Sequence, residues 1–272
     1  MSSEPYLAAV VQLTSTSDEA ANLDTAGALV ARAAGLGARL VATPENTNFL
    51  GPHEEKVRRA QTLDGEVCTL FSGLAREHRI HLLLGSFNEA SDETERCYNT
   101  SVLFGPGGER LAVYRKIHLF DVDVSASVRF QESATVKPGE EVVVAATPLG
   151  ACGLSICYDL RFPELYRRLV DGGAEVIFIP SAFTLTTGKE HWRTLIRARA
   201  IETQSYVLAP AQCGRHDDGG LRESYGHSMI VDPWGAVVAM AAEGPGIAVA
   251  EIDPARVGRA RRAIPVSEHR RV

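Results

Sequence analysis

Cys152-Gly153-Leu154-Ser155-Ile156-Cys157 is an apolar run, and Tyr158-Asp159-Leu160-Arg161-Phe162-Pro163-Glu164 follows it directly. The first part reads as the end of a buried strand. Pro163, with its fixed φ and missing N–H, suits the first position of a helix running to about residue 170. Strand giving way to helix is an α/β junction, and a side chain at such a rim stands where ligands bind in α/β sheets. Cys157 occupies that rim. A turn of this kind exposes a nucleophile and aims the next backbone N–H, that of Tyr158, toward a developing oxyanion. By position alone Cys157 stays open between a packing thiol and a nucleophile.

Working outward, residues 7–13 are a short apolar run that reads as a strand. Residues 22–36 space Leu23, Ala26, Leu29, Val30 and Ala33 at helical intervals and stop at Gly35 and Gly37. Strands are expected at 40–42 and 82–87, with a helix at 67–78 between them. Residues 98–104 and 111–114 form a hairpin across Gly105-Pro106-Gly107-Gly108, and 142–146 pairs with 152–156 around Pro148-Leu149-Gly150. Further on, strands at 176–179 and 206–209 flank a helix at 189–203. Strands at 228–231, 237–241 and 247–252 then close as hairpins about Asp232-Pro233-Trp234-Gly235. Helices between some strands and tight turns between others predict an α/β fold of mixed sheets covered by helices, not eight uniform βα units. About a dozen strands favour two stacked sheets with helices outside each.

The 272 residues are 45% hydrophobic and 23% charged, the balance of a globular core. A formal charge of −6 gives no general pull on nucleic acid or anionic lipid, so neither is expected as a partner. With no repeat, linker or low-complexity tract, residues 1–272 read as a single domain. Arg256, Arg259, Arg261, Arg262, Arg270 and Arg271 read as a solvated helix face and a short terminal arm. Cys68, Cys97, Cys152, Cys157 and Cys213 contain no CxxC pair, which gives no support for zinc or a redox dithiol. The first thirteen residues lack a basic region and a long apolar region, and no run reaches a membrane span. A reduced, soluble, cytoplasmic protein is the expectation.

Two further charges stand at predicted strand ends. Glu45, in Val41-Ala42-Thr43-Pro44-Glu45-Asn46, is a surface or capping carboxylate unless something near it needs a base. Lys116, in Tyr114-Arg115-Lys116-Ile117-His118-Leu119, is a solvated charge unless something near it needs a cation. A nucleophilic thiol needs both: a base for its proton and a positive charge for thiolate and oxyanion. His118, flanked by Ile117 and Leu119, reads as a hydrogen-bonded structural group, so no Cys–His dyad is required.

Thr43-Pro44-Glu45-Asn46, Tyr114-Arg115-Lys116-Ile117-His118-Leu119-Phe120-Asp121 and Gly153-Leu154-Ser155-Ile156-Cys157-Tyr158-Asp159-Leu160-Arg161-Phe162-Pro163-Glu164 resemble the three motifs of the nitrilase superfamily, the carbon–nitrogen hydrolases. They stand in the expected order, 71 and 41 residues apart at Glu45, Lys116 and Cys157, and the resemblance runs from about Leu7 to Arg271. It implies a four-layer α-β-β-α sandwich and a Glu–Lys–Cys triad with no metal and no organic cofactor. It also implies a homodimer or larger homo-oligomer. Carried over, Glu45 is the general base, Lys116 the oxyanion-stabilising cation and Cys157 the nucleophile. Glu132, in Phe130-Gln131-Glu132-Ser133, matches a second glutamate near the lysine.

The downstream half resembles the deaminated glutathione amidases. The residues concerned are Pro180-Ser181-Ala182-Phe183-Thr184-Leu185-Thr186-Thr187-Gly188, His191-Trp192, Arg197 to Gln204, Ala211-Gln212-Cys213-Gly214-Arg215-His216 and Tyr225 to Gly235. The omega-amidases share much of this, but the Ala211 to His216 run favours the former. Tyr158, Phe183, Thr187 and Arg161 are then expected at the substrate, Trp192 in the core, and Cys213 as a structural thiol. The implied activity is hydrolysis of the primary amide of a small carboxylated substrate, deaminated glutathione, through a Cys thioester with release of ammonia. Omega-amidase action on alpha-keto acid amides such as alpha-ketoglutaramate is the alternative. A catalytically silent nitrilase-fold interaction protein is the reading from a different class.

Overall fold

A computed structural model describes residues 4–125, 128–219 and 222–271. The first half contains β1 (Tyr6–Leu13), α1 (Glu19–Gly35), β2 (Ala38–Ala42), α2 (His53–Arg58), α3 (Glu66–His78), β3 (His81–Ala90), β4 (Cys97–Phe104) and β5 (Arg110–Arg115). Next come β6 (Asp121–Ser125), β7 (Val128–Gln131), β8 (Val144–Thr147), β9 (Gly150–Leu154), α4 (Pro163–Asp171), β10 (Val176–Phe178) and α5 (Leu185–Thr203). The remainder is β11 (Tyr206–Ala209), β12 (Ala211–Arg215), β13 (Glu223–Tyr225), β14 (Met229–Val231), β15 (Val237–Met240), β16 (Gly246–Ile252), α6 (Pro254–Ala263) and α7 (Val266–His269).

One sheet runs β13-β12-β1-β2-β3-β4-β5 with β16 also paired to β1, a second runs β15-β14-β11-β10-β9-β8, and β6 pairs with β7 apart from both. The two-residue period of β1 shows how they stack. Ala9, Val11 and Leu13 face a core shared with Ala26, Val30 and Ala33 of α1 and Val67, Phe71 and Ala75 of α3. Tyr6, Ala8 and Val10 face the opposite way, into a core shared with Leu154, Val176 and Val207 of the second sheet. Leu165 and Leu169 of α4 and Trp192, Ile196 and Ala200 of α5 cover that sheet's other side. The result is the expected α-β-β-α sandwich of mixed sheets. Among the described residues no helix is long and apolar enough to cross a membrane.

Local chemistry explains where the elements depart from the sequence pattern. Helix α1 starts at Glu19, before the apolar periodicity, because the Asp18 carboxylate caps it by accepting from the Ala21 N–H at 3.1 Å. Helix α5 starts at Leu185, four residues ahead of expectation, and its first turn lies hard against β13. A Cβ on Gly188 would fall 2.4 Å from Tyr225 Cβ, so only glycine permits that approach. Strand β16 does not close as a hairpin on β15. It pairs antiparallel with β1 along its length, from Tyr6↔Ile252 to Gln12↔Gly246. Of the C-terminal arginines, Arg261 is docked, donating to the Ala174 carbonyl at 2.6 Å, and Arg256 pairs with Asp232, while Arg259, Arg262, Arg270 and Arg271 are exposed, as the solvated reading expects.

Candidate active site

Glu45, Lys116 and Cys157 each follow the end of a strand, β2, β5 and β9 respectively, and line one cavity. After β2 the chain must turn off the sheet, and Pro44 prevents β2 from continuing. Thr43 and Pro44 press on β3 at Gly85, where a Cβ would lie 1.9 Å from the Thr43 carbonyl oxygen. That close approach aims Glu45 inward, where it is 3% exposed. Glu45 Oε2 accepts from the Ala182 N–H at 2.8 Å, and Oε1 accepts from Asn99 Nδ2 at 2.8 Å.

Lys116 is pinned by its backbone, donating to the Asn99 carbonyl at 2.9 Å and accepting from the Gly139 N–H at 2.8 Å. Its ammonium donates to Glu45 Oε1 at 2.9 Å and to Glu132 Oε2 at 2.8 Å. Glu132 opens a single 3-10 turn after the β6–β7 hairpin, and its Oε2 also accepts from the Phe120 N–H at 2.7 Å. Asn99 Nδ2 reaches Glu132 Oε1 at 3.3 Å, so one amide bridges both carboxylates. Burial alone would push the Lys116 ammonium down, but the Glu132 and Glu45 carboxylates outweigh it and hold the amine well above its usual range. Burial likewise opposes ionisation of Glu132, yet Lys116 and Lys56 hold its carboxyl below the usual range.

Cys157 begins a 3-10 turn, Cys157–Arg161, in the left-handed region at φ 47°, a conformation a non-glycine side chain keeps only when its surroundings enforce it. Asp159 supplies the enforcement. This fully buried carboxylate accepts from the Ile156 N–H at 2.8 Å, the Tyr114 hydroxyl at 2.6 Å and the His118 N–H at 3.0 Å. The His118 ring also bonds it, with Nδ1 2.7 Å from Oδ1, and stacks on Phe162. His118 is thus tied to the loop beneath the cysteine, in agreement with its structural reading. Burial first, and then the Glu45 carboxylate, push the Cys157 thiol well up, against the pull of Lys116. The Lys116 ammonium, expected to favour the thiolate and the oxyanion, is shared by the Glu45 and Glu132 carboxylates.

Tyr158, Phe183, Thr187 and Arg161 all line the same cavity. Arg161 lies over the Phe183 ring at 5.3 Å and has both terminal nitrogens 3.3 Å from His191 Nδ1. Trp192 is fully buried, and Cys213 is buried beside Thr14, its thiol pushed up mainly by burial. Sequence reasoning missed Asn46, His53, Lys56, Phe120, Phe130, Arg222 and Ser224, which also line the cavity, and Asn99 and Asp159 behind it. Asn46 and Asp159 lay inside the motifs already quoted. Lys56 and Arg222, in a short charged helix and a polar loop, carry no sequence signal. Among the described residues no group of three or more His, Cys, Asp and Glu side chains is placed to hold a metal ion.

Two stacked mixed sheets with outer helices thus carry a buried Lys between two glutamates beside a strained cysteine, the architecture of a hydrolase family. The carbon-nitrogen hydrolase family model matches residues 7–262, and the chain belongs to that family, the nitrilase superfamily. It is similar to the deaminated glutathione amidase of Synechocystis sp., 45% identical over 270 residues and covering 98% of each chain. To the deaminated glutathione amidase of Homo sapiens it is 46% identical, covering 99% of this chain and 84% of that one. Among solved structures, the Caenorhabditis elegans NitFhit protein superposes with a TM-score of 0.94 at 42% identity, over 100% of this chain and 66% of that one. Saccharomyces cerevisiae Nit3, a member of branch 10 of the nitrilase superfamily, gives 0.88 at 34% identity over 99% and 97%.

Proposed function

We propose that the protein is an amidase acting on a small carboxylated amide, with deaminated glutathione as its substrate. One observation carries the reading: Lys116, 2% exposed, is held between Glu45 and Glu132 in the cavity that Cys157 enters. A scaffold gains nothing from burying three such charges around a thiol, since they are costly to desolvate. The similarity to deaminated glutathione amidases supplies the substrate class.

In this reading Glu45 takes the Cys157 proton as the sulfur attacks the amide carbonyl, so the thiolate never accumulates. The oxyanion is met by the Tyr158 N–H and by the positive charge of the Lys116 ammonium beside it. Glu45 returns the proton to the departing nitrogen as the C–N bond breaks, leaving a thioester. Water then attacks the thioester, Glu45 accepts its proton and passes it to the leaving sulfur, and the acid departs. Glu132 keeps Lys116 charged and in place. The amide nitrogens of a glutathione skeleton are secondary, so on that substrate a peptide amine leaves; ammonia leaves from a primary amide such as alpha-ketoglutaramate.

The proposal extends to a single domain over 1–272 and to a homodimer or larger assembly, supported by exposed Ile201, Trp234, Val238 and Met240. It also extends to a cytoplasmic location, which five buried free cysteines fit. The test is hydrolysis of deaminated glutathione, alpha-ketoglutaramate, propionamide and propionitrile, reading acid product and released amine. The expected order of kcat/KM is the first, then the second, then the last two far behind. Preference for alpha-ketoglutaramate moves the enzyme to the omega-amidase reading. Comparable rates on propionamide sink the polar pocket, and no hydrolysis of any amide leaves the silent interaction protein.

A further inference from the structure

The cavity has a second cationic end that the chemistry above leaves unused. Lys56, on α2, lines it while only 2% exposed, and no hydrogen bond or ion pair ties its ammonium to another described residue as Lys116 is tied. Arg222 comes to the same end, its guanidinium over the Phe130 ring at 5.7 Å, bonded to His53 Nε2 and 3.6 Å from Asp218. Burial, and then Arg222 itself, push the His53 imidazole down to about 3, so His53 is neutral and acts as an acceptor for the arginine. Of the carboxylates that line the cavity, Glu132 is already taken by Lys116, Asn99 and the Phe120 N–H, Glu45 by Lys116, Asn99 and the Ala182 N–H, and Glu223 is exposed. Lys56 is therefore a buried cation without a counter-charge of its own, beside an arginine held by Asp218, in a site built to receive a small molecule, and a buried charge without a partner is expensive.

We propose that Lys56 and Arg222 form the subsite for a carboxylate on the acyl half of the substrate. This deepens the amidase reading and rests on it. The acyl half stays on Cys157 as the thioester while the amine departs, so it belongs at the closed end, where Lys56 is buried. Half-buried Arg161, on the Phe183 side, then faces the leaving half. The Lys56 amine, pushed down to about 8 by burial and by Arg222, regains a counter-charge when a carboxylate enters. A guanidinium beside an ammonium offers both a planar fork and a point charge, a combination that fits a carboxylate.

The experiment compares glutaramate, the monoamide of glutarate, with pentanamide, a neutral amide of similar length, on wild type, Lys56→Met and Arg222→Gln. Each variant should lower the kcat/KM ratio of the charged to the neutral amide by roughly tenfold to a hundredfold, mostly through KM, as expected for a lost charge-assisted hydrogen bond. Lys56→Arg should recover much of the ratio. Equal losses on both amides overturn the subsite, for then Lys56 acts only through Glu132 and Lys116. A readout that does not need turnover is glutarate binding by calorimetry, in wild type and in Lys56→Met. If no amide is hydrolysed but glutarate binds and Lys56→Met weakens it, the amidase reading fails and the subsite stands. If wild type does not bind glutarate, the subsite fails. Should Lys56→Met not fold, Arg222→Gln decides the same question.

Discussion

Replacing Lys116 with methionine keeps the stem and removes the cation, and its effect on stability should change with pH in a way no simple cavity would. In the wild type, Lys116 has a raised pKa, so its contribution is fully present below the unfolded value of 10.5 and is lost only above that. Glu132 has a lowered pKa, so its contribution is present above its unfolded value of 4.5 and lost as pH falls below it. Between pH 5 and pH 8 both are constant. With Met at 116, burial and the neighbouring Glu45 carboxylate both favour the protonated form of Glu132, and the folded state must hold a proton that the unfolded chain has released. Removing one partner of a buried ionic cluster costs about 3–5 kcal/mol near neutral pH. At about 2–4 °C per kcal/mol for a chain of this size, that is a fall in Tm of roughly 6–20 °C. The deficit relative to wild type should shrink toward pH 5, by up to about 1.4 kcal/mol per pH unit for each proton taken up. Taking the difference at each pH cancels His53, whose lowered pKa costs both proteins stability as pH falls below its unfolded value of 6.5. Urea unfolding at pH 5, 6.5 and 8 measures this directly. A deficit that is the same at all three, or under about 1 kcal/mol at pH 8, would refute the account of Lys116 as the counter-charge for two buried carboxylates.

Iodoacetamide should label Cys157 before Cys68, Cys97, Cys152 and Cys213, because among the described residues it is the cysteine that lines the cavity and has a carboxylate, Glu45, at hand to take its proton; peptide mass spectrometry against time reads the order, and Cys213 first with activity intact reassigns the nucleophile. Glu45→Gln should lower kcat by on the order of 100-fold or more, and its combination with Lys116→Met should cost far less than the product of the single losses; steady-state kinetics showing full additivity count against one shared site. Gly85→Ala places a methyl against Thr43 and Pro44, and should cost at least about 1–3 kcal/mol together with more than tenfold in kcat, since relief of the clash displaces Glu45; a variant with native kcat and Tm argues that this approach does not position the base.

Much of this architecture was legible because local signals and tertiary needs agreed. The apolar run before Cys157, the proline at 163 and the strand-end places of Glu45 and Lys116 follow from short-range chemistry, and the structure brings those residues together. What escaped was non-local. The partner of β16 is set by β1, almost the whole sequence away, and no turn signal encodes it. The Lys56 ammonium reads as a solvated helix charge in His53-Glu54-Glu55-Lys56-Val57-Arg58 until packing buries it. The start of α5 was hidden by Thr186, Thr187 and Gly188, poor helix formers whose place is decided by the approach of Tyr225. Asp159 was quoted as part of a motif, but its work under Cys157 depends on Tyr114 and His118, which only the fold delivers.

The pairing of β1 with β16 constrains how the polypeptide can be made. One edge of β1 is covered by β2 soon after β1 itself emerges, while most of the other waits for residues 246–252. Until those residues emerge, a nascent chain carries an apolar strand with an open row of peptide groups, the feature that recruits other strands and seeds aggregation. Native closure then requires a contact of very long sequence separation, which slows it. Vectorial folding from the amino end therefore cannot complete this molecule. The sheet that carries Glu45 and Lys116 becomes whole only once residues 246–252 have emerged, and the yield of active enzyme in a cell depends on how well β1 is shielded until then.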